Sequence, residues 1–227
     1  MKGTLITIAL NLLPGIACAA TMQLVDPVGG VIPDASLTGI SRSLVLTAPG
    51  HSITSVEVEI SLAPVAGSAA FLGDLYFFLT DGTTLVTLAN RPGRDTMRPD
   101  GYDDDQSFSV VFADSADADF HLYRESVTGS EDLPLTSPLG GAFQPDGRTT
   151  DPTAVVSGDS RDSQLADFSG LSAERTFTLF AADLSLGAVH EIDRWSLSVE
   201  TIPEPSPAAL LALLLGGLGF VRSRQRR

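Results

Sequence analysis

The sequence predicts an all-β protein, an antiparallel jelly-roll-like β-sandwich, on three observations. Apolar residues alternate with polar ones in segment after segment. Gly, Pro and Asp clusters divide those segments into short runs. No long stretch carries helical spacing between Met22 and Thr201. The 227 residues suffice for one such domain once two apolar ends are set aside.

Residues 1–19 have the layout of a secretion signal: Lys2 supplies the charge, Leu5 to Leu13 the apolar stretch, and Pro14-Gly15 a break. Ala17-Cys18-Ala19 forms a small-x-small cleavage site for signal peptidase, read at Ala17 and Ala19. A lipidated Cys18 is the alternative, but Gly15 stands where a bulky aliphatic is expected. Cys18 is the one cysteine, so a body beginning after it has neither disulfide nor thiolate metal site.

Within the body, Val56, Val58, Ile60 and Leu62 alternate with Glu57, Glu59 and Ser61, which places aliphatics on one strand face and carboxylates in water. Trp195, Leu197 and Val199 alternate in the same way with Arg194, Ser196, Ser198 and Glu200. Further strands are expected at Ile40 to Thr47, Asp74 to Thr80, Thr84 to Ala89, Phe108 to Ala113 and Arg175 to Ala181. Seven or eight short strands suit a sandwich. Arg124 to Ser172 lacks periodicity, carries four prolines and reads as a long functional loop or as strands without a pattern.

The chain carries 14 basic and 28 acidic residues. Setting aside Lys2, Glu204 and the four terminal arginines leaves nine basic and 27 acidic groups, an excess of 18 negative charges. No lysine remains in the body, and such a surface excludes nucleic-acid binding, which needs clustered cations on phosphate.

Candidate chemistry is sparse. His51, His121 and His190 stand singly, without zinc-motif spacing, and read as surface or loop residues. Gly158-Asp159-Ser160 lacks the strand that an esterase nucleophile elbow requires. Glu57 and Glu59 share a strand face but lack an opposing group. No catalytic residue is assigned, and an enzyme is not expected. Asp100, Asp103, Asp104 and Asp105 surround Gly101, with Asp114 following and Asp74 in a Gly-Asp-Leu setting. Calcium takes six to eight hard oxygen ligands, so these six aspartates are the candidate calcium ligands and calcium the one candidate cofactor. The alternative is a solvated acidic loop.

At the C-terminal end, Pro203-Glu204-Pro205 precedes an uncharged Leu/Ala/Gly-rich run over about 207–221, followed by Arg222, Arg224, Arg226 and Arg227. A helix of that length spans about 22 Å at 1.5 Å per residue, short of roughly 30 Å of hydrocarbon. The basic cluster places its far end in the cytoplasm. These three parts, over residues 203–227, resemble the PEP-CTERM sorting signal of Gram-negative bacteria. The resemblance implies recognition by a membrane-embedded exosortase, cleavage near Pro-Glu-Pro, an inner-membrane intermediate, and final location at the cell surface or in the exopolysaccharide matrix. A plain single-pass anchor is the alternative.

Residues 22–201 resemble a second family, the P domain that follows the catalytic domain in proprotein convertases. The matching residues are Ile32-Pro33-Asp34, Ile53 to Ile60, Gly73-Asp74-Leu75, Phe77, Leu79 and Asp81-Gly82-Thr83. They continue through Asn90-Arg91-Pro92-Gly93, Phe108 to Asp114, Gly141-Ala142-Phe143-Gln144-Pro145, Leu165 to Gly170 and Asp193-Arg194-Trp195-Ser196-Leu197. Phe177 stands where the family has a Trp, and no catalytic domain accompanies the module. The resemblance implies a jelly roll, in some members calcium-binding, and does not imply proteolysis. The expected function is a non-catalytic surface or matrix module. Alternatives are a carbohydrate-binding jelly roll for exopolysaccharide, for which Tyr76, Tyr102 and Tyr123 are the sole tyrosines, and a stabilising partner of a separate subtilisin-like protease.

Overall fold

A computed structural model describes residues 18–66, 71–187 and 189–204. Most of the signal peptide, including Ala17, lies outside the described residues, as do Pro205, the 207–221 run, Arg222, Arg224, Arg226 and Arg227. Among the described residues no helix is long and apolar enough to cross a membrane.

The described chain is mostly antiparallel β-sheet. Its strands are β1 (Ala20–Asp26), β2 (Gly30–Val31), β3 (Ser36–Pro64), β4 (Leu75–Thr80), β5 (Leu85–Asn90), β6 (Phe108–Phe112), β7 (Leu139–Phe143), β8 (Ser172–Asp183) and β9 (His190–Pro203), with one short helix, α1 (Tyr123–Thr128).

β3 organises everything else. The sequence suggests separate strands at Ile40 to Thr47 and from Ile53, because Pro49-Gly50 looks like a turn. They are instead one strand of 29 residues. Gly50, at φ 69°, supplies the left-handed residue at which the strand turns its corner. The register with β8 shifts there, between Thr47 and Ser52. Before the corner β3 pairs with β8, Ile40 opposite Ala181. After it, β3 pairs with β9 on one edge, Val58 opposite Leu197, and with β6 on the other, Val58 opposite Phe112.

β4 and β5 extend the first half beyond β8. β1 closes the second half beyond β9, Ala20 opposite Thr201, with β2 continuing along the same edge.

Period-two patterning explains why the halves face one another. Val56, Val58, Ile60, Trp195, Leu197, Phe108 and Val110 come from the second half; Leu46, Phe177, Leu179, Phe77, Leu79 and Val86 come from the first. All belong to one buried cluster. Phe77 of β4 meets Phe108 of β6 edge-on at 6.3 Å between ring centres, a contact across the sandwich-like interior. Each such side chain contributes about 1.5–3 kcal/mol through burial. Phe177 fills the interior fully, against Phe168 at 5.2 Å.

One further expectation is corrected. β6 and β7 run parallel, Phe108 opposite Leu139, in an otherwise antiparallel sheet. A parallel pair needs a crossover, and residues 113–138, with α1 among them, provide it. Residues 124–172 hold most of α1, all of β7 and a 3-10 turn at Leu165–Phe168, so of the two readings of this stretch the structure bears out the one with strands that lack a pattern.

Candidate functional site: an arginine-pinned loop face

All nine cations of the body are arginines, and each is spent inside the molecule. A guanidinium can bind several oxygens in one plane, which suits it to fastening loops that lack ladder bonds.

One cluster lies beyond the ends of β4, β5 and β8. Arg124 Nε donates to Asp104 Oδ2 at 2.7 Å and its Nη2 to Asp103 Oδ1 at 2.5 Å. Asp104 is buried, and also accepts from the Tyr123 hydroxyl and the Leu135 N–H, both at 2.7 Å. Arg98 donates to Asp95 at 2.9 Å, to Asp132 at 3.1 Å and to Glu131. The Tyr102 ring receives both guanidinium groups, Arg124 at 4.5 Å and Arg98 at 5.5 Å from its centre. Burial pushes the Tyr102 hydroxyl well above its ordinary pKa. Gly93, at φ 75°, runs so close that a Cβ there would stand 2.3 Å from that ring. Between these groups, bordered by Met97, Asp103 and Pro134, opens a cleft of about 400 Å³.

Arg91 joins the same pole to the sheet. It donates to the Gly73 carbonyl at 3.2 Å, to Asp74 Oδ1 at 3.4 Å and to Ser185 Oγ at 3.1 Å. Burial raises the Asp74 pKa; Arg91 and a bond from Ser185 oppose the rise only in part. Behind Asp74, Asp183 and His190 pair at 2.9 Å with neither side chain exposed. Nε2 of His190 and Nε1 of Trp195 find no hydrogen-bond partner among the described residues.

A second cluster flanks β5. Asp146 Oδ2 accepts from the Asn90 N–H at 3.1 Å and lies 2.8 Å from His121 Nδ1. Asp146 Oδ1 accepts from Arg148 Nη1 at 3.2 Å, while Arg148 Nη2 reaches Asp119 at 2.9 Å and the Ser157 carbonyl at 2.7 Å. Arg94 holds the Thr153 carbonyl at 2.6 Å and also that of Val155. Arg161 holds the Pro145 carbonyl at 2.7 Å. Beyond backbone bonds from Gln144, Asp146 and Gly147 to Ala118, Leu88 and Thr87, segment 144–161 is fastened by side chain-to-carbonyl bonds.

The three remaining arginines tie strands: Arg42 to Asp26, Arg175 to Asp81 and Arg194 to Glu59. Glu59 therefore has the opposing group that the sequence does not reveal, and Ser196 Oγ adds a second bond at 3.0 Å.

The six candidate calcium ligands are not brought together. Asp74, Asp103 and Asp104 are turned onto Arg91 and Arg124. Asp114 accepts from the backbone N–H groups of Leu165 and Ala166 at 3.0 and 2.6 Å. Asp100 is exposed, 3.9 Å from Arg91, and Asp105 accepts from Gln106. Among the described residues no group of three or more His, Cys, Asp or Glu is placed to hold a metal ion. Guanidinium groups and backbone donors hold Asp74, Asp103, Asp104 and Asp114, so in this arrangement those four carboxylates serve an ion-pair and backbone network. His121 and His190 are corrected: both are fully buried and paired with aspartates.

Ala19 is exposed immediately before β1. The first two residues of the Pro-Glu-Pro motif continue β9. Pro203 stands opposite His51, the Glu204 N–H donates to the Gly50 carbonyl at 2.8 Å, and Glu204 Oε1 accepts from Ser52 Oγ at 2.9 Å.

No family model and no curated protein matches the chain. Among solved structures it is similar to a chain in the crystal structure of the Aeromonas sobria serine protease (ASP) and chaperone (ORF2) complex, at 15% identity and a TM-score of 0.44. The match covers 82% of this chain and 27% of that one.

Proposed function

We propose that this chain is an exported, non-catalytic interaction module of a Gram-negative cell surface or extracellular matrix, with a P-domain-like jelly-roll body. In this reading signal peptidase acts after Ala19, and an exosortase-type enzyme acts at Pro203-Glu204-Pro205 to free the body from an inner-membrane intermediate. The observation that carries the reading is the fate of the arginines. With all nine spent on internal oxygens, the surplus carboxylates form the exterior, and the loops that display them are held in place rather than free. Such a surface recruits basic partners, and its affinity falls as salt rises.

The test is fractionation of a Gram-negative host with and without an exosortase. Released protein lacking residues beyond the motif, seen only when the enzyme is present, is the expected result. Full-length protein held in the membrane under both conditions would refute the sorting scheme.

A sugar-binding reading draws on one observation. Tyr76, Phe78 and Phe180 form a half-buried aromatic strip on the outer face of β4 and β8, with Phe78 and Phe180 stacked at 4.7 Å. Ser41, Ser43 and Thr178 add hydroxyls beside it. Retardation of the protein in polysaccharide gels, abolished by Tyr76→Ala, would favour this reading; equal mobility with and without polysaccharide would remove it.

A further inference from the structure

The body ends inside its own processing signal. β9 is flanked by β1 on one side and β3 on the other, and its ladder with β3, shifted in register between Ile53 and Ser55 and between Ser61 and Leu62, extends to Pro203 opposite His51. Glu204 adds one more rung through its N–H to Gly50, and its carboxylate turns back to Ser52. The acceptor carbonyl belongs to Gly50, the corner residue of β3, at φ 69°. There is no linker between the last rung of the sheet and the motif.

A peptidase takes its substrate as an extended strand, binding several residues on each side of the bond it cuts, chiefly through their backbone groups. Here Glu204 has already committed its N–H and its carboxylate to the body. We propose that Ser52 is a positioning residue for tail removal: with the Gly50 carbonyl it clasps Glu204, and the motif is offered to the enzyme only when this final rung opens. The inference rests on the sorting reading given above. The step itself is hydrolysis. Water adds across a peptide bond in or just after the motif, leaving a carboxylate on the body and an amine on the tail, with the membrane peptidase as catalyst. Ser52 touches neither the water nor the scissile bond; it sets how often the substrate is available.

A clasp of this kind acts through population. If only the open form is cut, the rate scales with the open fraction, so losing the hydroxyl raises the rate. One net hydrogen bond corresponds to a change of roughly two- to tenfold.

The test is pulse-chase labelling of the full chain in a host with an exosortase, following conversion of precursor to the shorter form. Ser52→Ala should convert roughly two- to tenfold faster than wild type, and Ser52→Thr, which keeps a hydroxyl, should restore the slower rate. The thermal midpoint of the Ser52→Ala body should stay with that of wild type, which separates release of the clasp from general loosening of the fold. Equal conversion in wild type and Ser52→Ala would overturn the clasp and leave the sorting scheme standing. A wild-type chain that never loses its tail would overturn both.

Discussion

His121 Nδ1 lies 2.8 Å from Asp146 Oδ2, and neither side chain has any exposed surface. Asp146 is the junction of the second loop cluster, serving His121, Asn90 and Arg148 at once. Replacing it with Ala leaves the buried His121 ring without its carboxylate and the buried Arg148 with Asp119 as its one remaining ion-pair partner. The expected cost is about 3–5 kcal/mol, measured as a lower midpoint in urea unfolding.

Phe120 is the corresponding apolar junction. It meets Phe112 at 4.9 Å, Phe143 at 5.6 Å, Tyr123 at 5.8 Å and Phe108 at 5.9 Å. This ring is the main apolar tie between the β6–β7 crossover and the interior, beside the polar ties of His121 and Tyr123. Phe120→Ala should destabilise by about 3–5 kcal/mol, and hydrogen exchange should quicken first in residues 113–128.

Acid should weaken the tie between the β1 end and β3. The bond from Arg42 holds the Asp26 carboxyl below its ordinary value of 3.8. The folded state therefore binds this proton less readily than the unfolded one. Stability from the pair is present above the unfolded pKa and is lost as pH falls through the lower, folded one. Wild type should exceed Arg42→Gln in unfolding free energy at neutral pH; the gap should begin to close below about pH 4, near the unfolded Asp value, and vanish only below the lower, folded one.

Millimolar calcium should leave the thermal midpoint where excess chelator leaves it, because the aspartates around Gly101 already serve Arg91, Arg124 and backbone donors. A rise of several degrees, abolished by Asp103→Asn, would show that an ion displaces Arg124 from Asp103.

Much of the sheet was legible because burial on one face imposes period two: Val56 to Leu62 and Trp195 to Val199 are strands with the predicted inward faces. The unity of β3 was hidden because Pro49-Gly50 marks turns and corners alike. Residues 144–161 were unreadable for a different reason, since their order comes from isolated backbone bonds and from Arg94, Arg148 and Arg161 reaching carbonyls, neither of which imprints a periodicity. His121 looked solitary because Asp146, its partner, is 25 residues away. The one trace of the site in the sequence was the choice of arginine at all nine cationic positions of the body.

The pairing of Ala20 with Thr201 sets the start of β1 beside the end of β9, so both ends of the described body lie at one pole. On the proposed export scheme, the two membrane-crossing ends would leave from this pole. β9 then runs 14 residues from there to His190, roughly 45 Å at 3.3 Å per residue. At its far end Leu184 bonds to Asp74, and Arg91 to Ser185. On the proposed scheme, a body suspended by its two ends would hang with the Arg91, Tyr102 and Arg124 loops outermost, the first part of it that anything approaching from outside would meet.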